Sequence, residues 1–210
     1  MFNDRYGLTN AVLTGRKTMT RRIVNGNFVN IKEFSSNGYT HFIAGTYYGN
    51  AIELKPRYKI GEKVAIAQSY KSIYDTIEER DGNSKANEWW CKLYEFHNGE
   101  GYEPYFTPGY RNKMFVRADL MPHHIRITGI RIERLQDISN EDCLKEGVEK
   151  WIDSFIVCGI MEHGKNNQCF DNPRDAFHSL INRIGNRDTW VNNPWVMAYQ
   201  FELIDEKDRV

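Results

Sequence analysis

Asn10-Ala-Val-Leu-Thr-Gly-Arg-Lys-Thr-Met-Thr-Arg-Arg-Ile23 carries more information than any other stretch of this 210-residue chain. On its left flank, Leu8 to Leu13 is a short helix-compatible run, and Gly15 stands where a helix would end. From Thr18 to Val24, β-branched residues alternate with arginine, so the chain is expected to leave the helix and extend. Arg16, Lys17, Arg21 and Arg22 put four cations in seven residues, interleaved with Thr18 and Thr20. Runs of this kind most often form a solvated charged strand. Here the run starts at a glycine, where backbone can come close to a ligand. It also mixes hydroxyls with cations, which suits a phosphate or the polar edge of a nucleobase.

Outward from this stretch the chain reads as strands broken by turns. Asn25-Gly26-Asn27 is a turn, and Phe28 to Phe34 and Tyr39 to Tyr48 flank Ser36-Asn37-Gly38 as a hairpin. Ala51 to Leu54 follows Gly49-Asn50. Beyond Gly61, Lys63 to Tyr70 is expected to be extended, with Val64, Ile66 and Tyr70 on one face and Gln68 among them. A polar residue in register with a core stripe invites a partner or a ligand. Asp75 to Glu103 holds eight acidic residues against Arg80, Lys85 and Lys92. It is expected to be an insertion too short for a core of its own, with Glu88 to Phe96 as an aromatic strand. Ile125 to Leu135 is the clearest strand, and Gly129 within it marks a bulge or bend that turns both isoleucine pairs towards one core. Ser139 to Asp142 resembles a capping box with Asp in place of Glu, opening a short helix that Gly147 ends. Asp171 to Ile184 is an amphipathic helix. Trp195, Met197, Tyr199, Phe201 and Leu203 alternate as a closing strand. The pattern predicts a β-rich α+β fold, a small, partly closed β-barrel with short helices and inserted hairpins.

Composition narrows the function classes. Lys and Arg number 28 and Asp and Glu number 28, so the average charge points to no polyanionic partner and only a local patch can. No apolar run approaches the length of a membrane span. The first residues lack the basic and apolar regions of a signal peptide, so the expected compartment is the cytoplasm. Cys91, Cys143, Cys158 and Cys169 form no CxxC pair and are expected as reduced thiols. Cys158, His163, Cys169 and His178 carry zinc-compatible side chains, but their spacing matches no compact finger or knuckle, and no metal is assigned. His123 and His124 are adjacent, so a strand would point them apart. Nothing in the sequence calls for an organic cofactor.

Gly15-x-Lys17-x-x-Thr20-x-Arg22 resembles the signature of the ASCH family, a branch of the PUA-like barrels, whose usual form has Glu where Thr20 stands. The surrounding stretch looks like the opening of ASCH-type proteins common in phages and prophages. Gly61 to Val64, the segment IRIERLQDI at Ile130 to Ile138, and Asn193-Pro194-Trp195-Val196 fall in the family's order. The resemblance covers both ends and the middle of one domain, leaving about 25–58, 71–112 and 150–185 as insertions. It implies a PUA-like barrel with a cleft that takes RNA or a modified nucleoside.

A bacterial branch with the GRKTxT form removes acetyl from N4-acetylcytidine, and its Lys, its Thr and a downstream helical Glu are catalytic. The motif carries those roles to Lys17 and Thr20. Glu146 is the best match for the third, with Glu141 and Glu149 nearby. Amide hydrolysis needs a nucleophile, a base and a stabilised oxyanion. Thr20 can attack if Lys17 takes its proton, which requires burial or adjacent cations (Arg16, Arg21, Arg22) to lower the lysine pKa. In one regular strand Lys17 and Thr20 would face opposite ways, so Lys17 must lie in the turn before the strand begins. Gly15, Arg16, Arg21 and Arg22 are the candidate nucleic-acid contacts. Gln68 is the candidate base reader, standing where phage relatives commonly have Glu. A pure binding module and a phage-encoded interaction protein are the alternatives to an amidohydrolase.

Overall fold

Helix α1 (Leu8–Leu13) buries Leu8, Ala11 and Val12, and Thr14 turns the chain out of it. Gly15 takes φ +72°, which only glycine adopts without strain, and the chain extends into β1 (Met19–Ile23) as expected. The structure, a computed structural model, describes residues 2–36, 39–96, 107–157 and 168–204. Two compact units emerge: Asn3–Lys63 together with Arg126–Leu203, and Val64–Ile125.

In the larger unit, β1 pairs antiparallel with β9 (Trp195–Ile204), Thr20 lying opposite Tyr199 and Arg22 opposite Met197. The sheet runs β1-β9-β6-β5, with β6 spanning His124–Arg134 and β5 Lys63–Ala65. It is a strongly curled half-barrel accompanied by short helices, so the molecule is α+β and β-rich. Strand β9 departs from the expected alternation. Val196, Met197, Ala198 and Tyr199 are all buried, because this central strand is covered on both faces.

A second sheet joins β2 (Phe28–Ser36), β3 (Tyr39–Thr46) and β4 (Ala51–Leu54), the expected hairpin insertion. The turn residues Asn37 and Gly38 lie outside the described segments. Ser139 caps α4 (Asn140–Lys145) by accepting from the Asp142 N–H at 3.1 Å. A two-stranded hairpin of β7 (Val148–Trp151) and β8 (Ser154–Val157) follows. Then come α5 (Pro173–Ile184) and α6 (Thr189–Asn192). In α5, Ala176, Phe177 and Leu180 are buried, while Ile184, the last residue of the predicted stripe, is exposed.

The smaller unit corrects two expectations. Ser69 stops the extended run early, its hydroxyl accepting from the Ser72 N–H at 3.2 Å and opening α2 (Tyr70–Asp81). The extended alternation still persists up to that cap, with Ile66, Gln68 and Tyr70 buried. The aromatic strand predicted at Glu88 to Phe96 is instead part of a helix, α3 (Asn83–Phe96). Ala86, Trp89, Trp90 and Leu93 recur at helical spacing, and this period outweighs the β preference of the aromatics. Tyr70, Ile73, Leu93 and Met121 then form a buried apolar cluster inside this unit, where none was expected. Among the described residues no helix is long and apolar enough to cross a membrane.

Candidate active site

Lys17 sits in the turn between α1 and β1, the location that the strand geometry demanded of it. Its N–H donates to the Ala11 carbonyl at 2.8 Å, and the next N–H, of Thr18, donates to Lys145 O at 3.0 Å. These bonds tie the start of β1 to α1 and to the end of α4. Gly147 makes the approach feasible. It takes φ +106°, and a Cβ there would stand 3.0 Å from Leu8 Cδ2 and 3.6 Å from Lys17 Cδ. The Lys17 side chain therefore runs inward. Its Nζ donates to Met19 O at 2.7 Å, to Glu146 O at 2.7 Å and to Glu146 Oε2 at 2.6 Å. Two residues 129 positions apart are thus joined by an ion pair with both side chains buried.

Strand parity brings Arg21 to the same cluster. Met19 and Arg21 face inward, and the Arg21 side chain is 1% exposed. Its guanidinium reaches Glu146 Oε1 at 3.0 Å, Asp142 Oδ2 at 3.1 Å and Glu133 Oε1 at 2.6 Å. Arg131 closes the group, bonding Glu133 at 2.9 Å and Asp142. Three cations face three carboxylates. Sequence reasoning had named Lys17, Arg21 and Glu146 but missed Arg131, Glu133 and Asp142. Two periodic signals mark the missing three: Arg131 and Glu133 are two apart on a strand, and Asp142 and Glu146 are four apart at a helix end. Asp142 spends its side chain here, so only the Ser139 half of the capping box forms.

Titration follows from these surroundings. Burial pulls the Lys17 pKa below the ordinary lysine value. The Glu146 carboxylate opposes the shift, and Arg22 and Arg21 add to it. Arg16, expected to help, instead pairs with Glu149 at 2.7 Å where both are partly exposed. Asp142 is raised by burial, but Arg131, Arg21 and Lys145 outweigh that and hold it below the usual aspartate value. Burial pushes the Cys143 thiol up to about 12.

The remaining candidates lie as follows. Thr20 and Arg22 share the opposite parity of β1, Thr20 half-buried and Arg22 exposed. Glu146 is buried, whereas Glu149 serves Arg16, which decides among the glutamates considered for contact with Lys17. Arg21, expected to contact nucleic acid, is turned into the cluster. Gln68 belongs to the smaller unit and is buried there, and its Oε1 has no hydrogen-bond partner among the described residues. Of the zinc-compatible quartet, Cys158 and His163 fall outside the described residues. Among the described residues no three His, Cys, Asp or Glu side chains are placed so that they could hold a metal ion. No family model, curated protein or solved structure matches the chain.

Proposed function

We propose that the chain is an ASCH-type, PUA-like protein that takes a modified pyrimidine nucleoside, free or within RNA, beside Lys17 and Glu146. We further propose that it hydrolyses an N4-acyl amide of cytidine there. The 2.6 Å contact between Lys17 Nζ and Glu146 Oε2 carries this reading. The motif points to Lys17, the family resemblance matches Glu146 to a downstream helical Glu, and the two are distant in the chain. In the reaction Thr20 Oγ attacks the acyl carbon and its proton passes to the Lys17 amine, whose ammonium form burial disfavours. Glu146 orients that amine and relays the proton to the departing cytosine N4. Water then cleaves the acyl-threonine, so amide and water become acetate and cytidine. Arg22, which shares Thr20's face of β1, stabilises the developing oxyanion.

The test is acetate release from N4-acetylcytidine. The wild type should turn over, while Thr20→Ala and Lys17→Met should fall by about a hundredfold or more, the scale of a lost nucleophile or base. Absence of acetate from the wild type overturns the hydrolase reading.

One observation favours a second reading. Three acceptors within 2.7 Å satisfy all three protons of a Lys17 ammonium, which suits a structural strut. The protein would then be a binding module without chemistry, gripping RNA through Arg16 and Arg22. Its signature is oligonucleotide retention that falls steeply as salt rises, with no acetate released.

A further inference from the structure

Val24, just beyond β1, continues the pairing of β1 with β9, its N–H donating to Trp195 O at 2.9 Å. The register that sets Thr20 opposite Tyr199 and Arg22 opposite Met197 therefore sets Val24 opposite Trp195. Residues directly opposite on an antiparallel pair share a face, and so do alternate residues along one strand. Thr20, Arg22, Val24 and Trp195 thus belong to one face. At about 3.3 Å per residue, Thr20 and Val24 stand about 13 Å apart. Arg22 is exposed midway between them.

At the Val24 end of this face, within the same unit, lies a cavity of about 380 Å³. Its lining combines the aromatics Trp195, Phe28 and Tyr47 with Val24, Val29 and Arg134. Tyr47 is 86% exposed and Val29 57%, so the apolar surface here is uncovered. The Arg134 guanidinium lies 4.3 Å over the Trp195 ring and donates to Asn193 O at 3.1 Å. The indole N–H donates to Phe28 O at 3.3 Å, which holds the ring in place. Among the described residues no Asp or Glu lines the cavity, and no carboxylate pairs with Arg134. The site is aromatic and positive, with no acid to offset it. Such surfaces stack any base and favour a phosphate backbone. The same face runs in register to Thr20, and that continuity selects a nucleic acid over an acidic peptide.

We propose that this cavity stacks the base of a neighbouring nucleotide when the cytidine at Thr20 belongs to a single-stranded polynucleotide. The connecting backbone runs past Arg22. The inference rests on the reading that a cytidine docks at Thr20, and it names that site's substrate as a strand rather than a free nucleoside. RNA and single-stranded DNA share this chemistry, so the experiment separates them.

The test is fluorescence anisotropy of the full chain with a labelled cytidine hexamer, as RNA and separately as DNA, at low salt. Cytidine 5′-monophosphate is the competitor. At least one hexamer should bind saturably and about tenfold or more tighter than the monophosphate, and the tighter hexamer identifies the sugar. Tyr47→Ala, at an exposed position, should weaken hexamer binding about fivefold or more, the contribution of one stacked base. Val29→Glu, which sets a carboxylate in the lining, should also weaken it. Hexaglutamate, of similar charge, should not displace the hexamer. The proposal is overturned if neither hexamer binds more tightly than the monophosphate, or if both folded variants bind as the wild type does. Equal competition by hexaglutamate overturns it too. A wild type that binds a hexamer through Tyr47 yet releases no acetate from N4-acetylcytidine fails the hydrolase reading alone. One that releases acetate but binds neither hexamer fails this inference alone.

Discussion

The charge cluster around Lys17 and the surroundings of Gln68 bury polar groups in opposite ways. In the first, Lys17, Arg21 and Arg131 meet Glu133, Asp142 and Glu146, and each buried charge has a charged partner within hydrogen-bond reach. In the second, the buried Gln68 amide oxygen has no hydrogen-bond partner among the described residues. A matched cluster holds elements together, and removing a member strands the rest in a low-dielectric site. An unmatched amide weakens the fold slightly. Substitution should therefore destabilise the first region and stabilise the second.

The sharpest way to break this contrast is Arg21→Met. It strips three carboxylates of a shared guanidinium that is almost wholly enclosed. Urea unfolding should show a loss of about 3–5 kcal/mol. A loss under 1 kcal/mol would mean the cluster is wet and loosely held. Glu146→Gln keeps the shape but leaves the Lys17 ammonium with two carbonyls and a neutral amide. It should cost about 2–3 kcal/mol by the same measurement and lower acetate release by about a hundredfold.

Acid titration sharpens the comparison further. Asp142 is held below its usual value, so it stabilises the fold above the unfolded carboxyl range near pH 4. That contribution disappears as pH falls through the lower folded value, because the native state then has to take up the proton it excluded. Stability should therefore drop from about pH 4 downward, and Asp142→Asn should flatten that limb.

On the other side of the contrast, Gln68→Leu removes an unsatisfied oxygen and should raise stability by about 1 kcal/mol, visible as a higher melting temperature. A clear loss would show the amide to be structurally engaged. The smallest effect concerns thiols. Native protein at pH 8 should alkylate at exposed Cys91 and Cys169 but not at Cys143, which is buried with its pKa raised to about 12.

Much of the larger unit was legible in the sequence. Helix α1, the turn at Gly15, strand β1 and the capped helix α4 follow from local signals that tertiary packing left unopposed. The Lys17–Glu146 pair was legible only through the family resemblance, which left Glu141 and Glu149 beside Glu146, because no spacing rule links residues so far apart. Arg131, Glu133 and Asp142 were visible as periodic pairs, but their inward orientation depends on which face of β6 and α4 is covered. Helix α3 departs from the expected strand because its tryptophans and tyrosine favour strands, while their spacing favours a helix. Gln68 was flagged by its place in a core stripe.

The central claim is that a cytidine ring comes to rest beside Lys17 and Glu146. The most direct measurement is a crystal structure of Thr20→Ala soaked with N4-acetylcytidine. The account predicts nucleoside density next to that pair, with the acyl carbon about 3–3.5 Å from where the missing hydroxyl would stand. Clear density elsewhere with none at this position, or no bound nucleoside at all, would contradict it.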